Sequence, residues 1–206
     1  YGTLAYAILY LPLALFAIEK YYNTRRLKFL LLLSFTMSLS FFSGHFQTSL
    51  YLIIFTISFI TFKVLITKKF KEAVFIIASF IFGIIISLPQ LLPSIRLYLH
   101  SVRSEIFIKE GGIPLYYLVN IFSPDFFGNP VTRNDWTGFY AEWASFIGIV
   151  PLILAIIAIF QRKNVMSIFF IFAGIAVLIL AIDSPMQTLI GSIKIPVLST
   201  SNPSRI

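Results

Sequence analysis

Two short stretches of this chain gather the residue types that chemistry at a polar site requires. The first is Ser43-Gly44-His45-Phe46-Gln47-Thr48-Ser49-Leu50-Tyr51, set between long apolar runs. His45 and Gln47 are its strong polar side chains, and a polar group beside apolar surface must find a partner. Either His45 caps a helix or braces the turn, or with Gln47 it holds a phosphate or a sugar hydroxyl. No second histidine stands nearby, so the spacing does not predict a metal site. The second stretch is Pro124-Asp125-Phe126-Phe127-Gly128, followed by Asp135, Trp136, Tyr140 and Glu142. Carboxylates beside aromatic rings suit sugar recognition, because rings stack on the apolar sugar face while acids accept hydroxyl hydrogen bonds. One such carboxylate could serve as a general base. The same residues also fit an aromatic interface belt with solvated acids.

Arg96, Arg103 and Arg205 form a third set. A guanidinium suits bidentate contact with phosphate, and equally suits snorkelling toward lipid headgroups. Ser34, Thr36, Ser38 and Ser40 read as helix-packing positions rather than ligands. No phosphate-binding loop, dinucleotide fingerprint or nucleophile elbow is present.

The elements that carry these residues follow from composition. Of 206 residues, 58% are hydrophobic and 12% charged, with mean hydropathy +0.92. A soluble domain carries about 25% charged residues, so this chain cannot build a water-facing surface. Its apolar residues fall in unbroken runs, the pattern of lipid-spanning helices. The absence of cysteine rules out disulfides and thiolate metal sites. A net charge of +8 does not point to nucleic acid, because the cations cluster at the ends of apolar runs.

Six segments emerge, at roughly 3–18, 27–43, 47–66, 73–93, 145–160 and 165–182. The expected fold is all-α: a polytopic transmembrane bundle of about six spans with a structured extracytoplasmic loop. Lys20, Arg25, Arg26 and Lys28 join the first two segments; Lys63, Lys68, Lys69 and Lys71 mark the third-to-fourth junction. Arg162 and Lys163 join the fifth and sixth. These ten of sixteen basic residues lie on alternate connections, which the positive-inside rule assigns to the cytoplasm. Gly44, the stretch 94–144 and the tail 183–206 are then outside, with six of the eight acids.

The stretch 94–144 is expected to hold interfacial helices. Leu91 to Ile106 keeps a helical period, bent near Pro89 and Pro93, and Gly111-Gly112 ends it. Pro114 suits a helix start, with Leu115, Leu118, Val119 and Phe122 along one face. Ser123 to Phe139 reads as an ordered loop. No internal repeat is visible, so a transporter built from repeats gains no support. Residues 1–206 read as one membrane domain of a longer chain, since the first apolar run has its basic residues after it, unlike a signal peptide.

The spaced motifs resemble a known family. G-H-F-Q-T-S-L-Y resembles the G-H-x-Q-x-x-x-Y element of the YfhO-type bacterial membrane proteins. P-D-F-F-G, W-x-G-x-Y-x-E and F-I-G-I-V-P-L-I-L-A resemble that family's outer loop and following span. The tail I-P-V-L-S-T-S-N-P-S-R is similar to its P-x-R element, with Asn202 where an arginine is common. The resemblance covers most of 40–206. It implies a GT-C class membrane glycosyltransferase in a prokaryotic cell membrane, moving a sugar from a polyprenyl-phosphate donor to a glycan or teichoic-acid-type acceptor outside. Some family members glycosylate lipoteichoic acid.

Carried over by position, His45 and Gln47 belong to the outward site, with Asp125, Tyr140 and Glu142 in its covering loop and Arg205 near the donor phosphate. Arg96, Arg103 and Trp136 complete the expected substrate-binding set. The class places its catalytic carboxylate in the first outer loop, so the base is expected upstream of Tyr1, with Asp125 and Glu142 the candidates inside the chain. No cofactor is assigned with certainty, and a divalent metal is compatible with the class. A transporter or flippase of a lipid-linked glycan is the leading rival reading, and a non-catalytic membrane scaffold the other.

Overall fold

The computed structural model describes residues 2–101, 112–133, 138–160 and 164–185, which are helical with no β-sheet among them. The chain divides into two compact units, Tyr1–Val102 and Arg103–Ile206. The division falls inside the predicted 94–144 stretch.

The first unit opens with α1 (Gly2–Leu9) and α2 (Leu11–Thr24). Pro12 sits in the first turn of α2, where its missing N–H removes no helical bond. Then come α3 (Leu27–Phe42), α4 (Phe46–Thr67), α5 (Phe70–Ile86) and α6 (Leu88–Leu99). The expected 73–93 segment is thus two helices, α5 and α6, bent by 69°. The bend falls at Ser87, two residues before Pro89, because a proline ring crowds the carbonyl four residues back and offers no N–H. Ser87 donates to the carbonyl of Ile84 at 2.7 Å. Pro93 lies within α6, and the predicted continuation past residue 101 is outside the described residues.

By length and composition, α1 with α2 (Gly2–Thr24) and α4 can each cross a membrane, and α5 with α6 is a third candidate if the bent pair counts as one. α3 is helical where predicted, but its 16 residues span about 24 Å. That is shorter than a hydrocarbon core of about 30 Å.

Small hydroxyl residues join apolar side chains in the interior of this unit, while many large apolar side chains face outward. Ser34, Thr36, Ser38, Ser40, Ser49 and Thr56 are buried, while Leu31, Phe35, Ile77, Phe82 and Ile85 face outward. Most of these hydroxyls turn back to helix carbonyls: Thr36 donates to Leu32 at 2.7 Å and Ser38 to Ser34 at 2.9 Å. Their small size lets α3 and α5 meet closely, with Ser34 Oγ and Ser79 Oγ 2.9 Å apart. A Cβ on Gly83 would lie 2.5 Å from the Ser34 carbonyl. Ser79 and Gly83, four apart on α5, form the small-residue spacing that membrane helices use for close contact.

The two basic turns share one conformation. Thr24 and Thr67 each donate back to a lysine carbonyl, Lys20 and Lys63, at 2.7 Å. Arg25 (φ 53°) and Lys68 (φ 55°) then take the left-handed conformation that ends α2 and α4. Glycine is the usual residue there, and a side chain costs roughly 1 kcal/mol more. Lys-x3-Thr, two basic residues, one apolar residue and Lys recur at 20–28 and 63–71. That short repeat, not apparent along the chain, emerges from the matching turns. Contacts hold both turns at one end of the unit: Arg25 pairs with Glu72, Lys69 donates to the Tyr22 carbonyl at 3.3 Å, and Lys63 pairs with Glu19 at 2.7 Å. Ser40, bonded to the Ala7 carbonyl at 3.0 Å and to Ser49, ties α1, α3 and α4 together at the other end.

In the second unit, α7 (Tyr140–Trp143), α8 (Ile149–Phe160) and α9 (Val165–Ala181) are helical, the last two where predicted. Both α8 and α9 are apolar and shorter than a full span. Ile113 donates to the Ala181 carbonyl at 2.8 Å and accepts from Asp183 at 2.9 Å. The helix expected after Pro114 is instead a 3-10 helix, Leu115–Ile121. The buried face differs accordingly: three residues per turn align Tyr117 with Asn120. Leu115 and Phe122, placed by the α-period on the apolar face, point outward.

Candidate functional site

The polar residues fall into one cluster in each unit. In the first, α3 ends at Ser43, Gly44 turns the chain with φ +79°, and His45 begins α4. His45 is the helix cap: its Nδ1 accepts from the Thr48 backbone N–H at 3.3 Å and lies 2.7 Å from Thr48 Oγ1. Gln47, buried, donates through Nε2 to the Tyr51 hydroxyl at 2.7 Å. The G-H-x-Q-x-x-x-Y spacing therefore has a structural meaning: histidine caps, and glutamine meets tyrosine one turn later. Arg96 is exposed in the last turn of α6. Arg103, Trp136 and Arg205 lie outside the described residues.

In the second unit the structure brings Asp125 and Tyr140 together across fifteen positions. The Tyr140 hydroxyl donates to Asp125 Oδ1, while Asn129 Nδ2 approaches Oδ2 at 3.4 Å. Asp125 has a left-handed backbone (φ 53°) and its carbonyl accepts from Gly128 at 2.7 Å, closing a tight turn. That hydrogen bond to the carboxylate, which favours the neutral phenol, raises the Tyr140 pKa above its ordinary 10.0. Glu142 sits on the same short helix as Tyr140. Asp125 is exposed, so its carboxylate is an acceptor fixed in place at the surface.

Behind this pair lies an aromatic cluster centred on Tyr117, which is only 2% exposed. Its ring stacks on Phe127 at 5.3 Å and meets Trp143 edge-on at 5.2 Å. Tyr116 and Phe126 contact Phe127 at 5.6 and 5.1 Å. Such pairs contribute about 0.5–1.5 kcal/mol each beyond area burial. Gly138 is required here, because a Cβ would fall 2.3 Å from the Trp143 ring. Burial is the main cause that raises the Tyr117 pKa. Asn120 Oδ1, Trp143 Nε1 and Ser145 Oγ are buried polar atoms without a hydrogen-bond partner in the structure.

Sequence reasoning did not single out Tyr117, Asn120 or Trp143. Their signal was the threefold spacing of Tyr117 and Asn120, visible only if Pro114 starts a 3-10 helix. Among the described residues no three His, Cys, Asp or Glu side chains gather as metal ligands would. Comparisons with protein-family models, curated proteins and solved structures found no match to this chain.

Proposed function

We propose that this chain is part of a polytopic membrane glycosyltransferase of the GT-C class, similar to the YfhO-type proteins. It has about six spans and sits in a prokaryotic cell membrane. It transfers a sugar from a polyprenyl-phosphate donor to a glycan or teichoic-acid-type acceptor on the extracytoplasmic face. The observation that carries this reading is the surface carboxylate of Asp125, bonded by Tyr140, with the exposed rings of Tyr116 and Phe126 packed on Phe127. A fixed acceptor beside aromatic faces is what a sugar hydroxyl and its apolar face require.

The large apolar side chains that face outward from the first unit, with small residues at its helix contacts, support lipid as its surroundings. So does the placing of both basic turns at one end of that unit, which agrees with the alternation of loops in the sequence. His45 and Gln47, on the turn between α3 and α4, stand on the opposite side of that alternation. In this account His45 Nε2–H donates to the donor's phosphate, while Asp125, Glu142 and Trp136 engage sugar or acceptor. Arg96, Arg103 and Arg205 supply positive charge to the departing phosphate. The attacking hydroxyl loses its proton to a carboxylate base, for which Asp125 and Glu142 are the candidates within the sequence, and a divalent metal, if bound, would neutralise phosphate charge.

Transport is less well supported, since the Glu19–Lys63 pair lies toward the basic end of α2 and α4 rather than mid-helix. Proteoliposomes containing the intact protein, a labelled polyprenyl-phosphate sugar and an envelope acceptor test the proposal. Acceptor labelling that drops on Asp125→Ala is the expected result. No donor binding, together with unchanged envelope glycans after deletion, would refute it.

A further inference from the structure

The basic end of the first unit gathers its cations in a duplicated geometry. Eight cations stand at this end: Lys20, Arg25, Arg26, Lys28, Lys63, Lys68, Lys69 and Lys71. Only two carboxylates accompany them, Glu19 and Glu72, and both are already paired, with Lys63 and Arg25. The two turns are drawn together by the Arg25–Glu72 pair and by Lys69 on the Tyr22 carbonyl. Arg26, Lys68 and Lys71 are exposed, and no ion pair among the described residues involves them.

Backbone conformation adds a second, independent observation. Arg25 and Lys68 both occupy left-handed positions where glycine is easier. For Arg25 the ion pair with Glu72 accounts for the side chain. Lys68 has no such pair among the described residues and stands exposed at the end of α4.

We infer that the paired turns form one docking surface for anionic phospholipid headgroups, the phosphate diester of a phosphatidylglycerol-type lipid. The surface combines cations from two turns that the Arg25–Glu72 pair and the Lys69–Tyr22 contact hold together. It lies at the ends of helices long and apolar enough to be flanked by acyl chains. The inference rests on the membrane reading and is independent of sugar transfer.

The test places the full chain in nanodiscs of phosphatidylcholine, and of an equal mixture with phosphatidylglycerol, and compares thermal midpoints. The mixture raises the midpoint of the native chain. The triple variant Arg26→Gln, Lys68→Gln, Lys71→Gln loses that rise, and its preference for the anionic lipid falls on the order of a hundredfold. A charge-keeping triple, Arg26→Lys, Lys68→Arg, Lys71→Arg, retains the rise and shows that the effect is electrostatic. Three outcomes overturn the proposal: no rise with phosphatidylglycerol, a full rise in the glutamine triple, or an equal rise from inorganic phosphate in phosphatidylcholine alone. The last would assign the surface to a free anion. Failure of the chain to enter phosphatidylcholine discs would overturn the membrane reading, and this proposal with it.

Discussion

The two units of this chain close on different kinds of contact. Tyr1–Val102 buries hydroxyls such as Ser34, Ser40 and Thr56 among apolar side chains such as Leu33, Met37 and Phe59, while many other leucines, isoleucines and phenylalanines face outward. Within Arg103–Ile206, the described residues Ile113, Tyr117 and Ala181 form a small core with Phe127 and Trp143 packed on it. The first unit gains closeness from small residues, with Ser34, Ser79 and Gly83 at the α3–α5 contact. The second gains it from ring contacts around Tyr117. The comparison teaches that one chain can close one unit with small residues and the other with aromatic rings, each set by local composition.

Removing the central ring of the second unit should produce the largest effect. Tyr117→Ala is expected to destabilise that core by about 3–5 kcal/mol, the range for truncating a buried aromatic. Near-ultraviolet circular dichroism would collapse while the far-ultraviolet helical signal persists. Equal loss of both signals would show that the two packings are not separable. The next effect belongs to the first unit. Gly83→Val forces a side chain against the Ser34 carbonyl and Met37, at an expected cost of about 1–3 kcal/mol. Thermal unfolding in detergent measures it, and Gly83→Ala should fall between valine and the native chain. An unchanged midpoint for valine would mean that α3 and α5 are not in close contact.

The cap on α4 is a smaller matter. His45→Ala should lower stability by about 1 kcal/mol through loss of the Thr48 N–H bond, and His45→Asn should restore most of it. If catalysis follows the proposal, asparagine restores stability without restoring turnover, which separates capping from phosphate contact.

The smallest effect is a titration. The folded Tyr140 pKa is raised above 10.0, chiefly by its hydrogen bond to Asp125. A phenol raised in the folded state stabilises that state below its unfolded pKa, and the benefit is lost as pH rises through the folded value. The Asp125–Tyr140 link should therefore hold through neutral and mildly alkaline pH and open only above 10.0. Tyrosinate absorbance follows it, and Asp125→Asn should move one phenol back toward the ordinary range.

The sequence disclosed the elements better than their details. Long apolar runs located α3, α4, α5, α8 and α9, because hydrophobicity over many residues averages out local exceptions. The single segment expected at 3–18, however, is two helices, α1 and α2, broken at Tyr10 and running on to Thr24. It also named the packing serines of α3, whose small size and spacing are visible in one dimension. What stayed hidden depended on backbone period and on distant partners. The helix after Pro114 was read with 3.6 residues per turn, so Leu115 and Phe122 were chosen over Tyr117 and Asn120. The break at Ser87 was anticipated only as a bend near Pro89 and Pro93. Asp125 and Tyr140 were both named, yet their direct bond joins residues fifteen apart through a left-handed turn, which no local pattern encodes. The twin turns escaped notice because five basic or apolar positions in nine look like ordinary positive-inside charge until their shared φ values set them apart.

Sidedness underlies the functional reading, and the absence of native cysteine makes it directly measurable. Single cysteines at Ser43, Val131 and Lys68 can be challenged in intact cells with a membrane-impermeant maleimide. Val131 is 91% exposed, so a thiol there is accessible without disturbing packing. The account predicts that Ser43→Cys and Val131→Cys react in intact cells, whereas Lys68→Cys reacts only after permeabilisation. Labelling of Lys68→Cys in intact cells together with Ser43→Cys would contradict it.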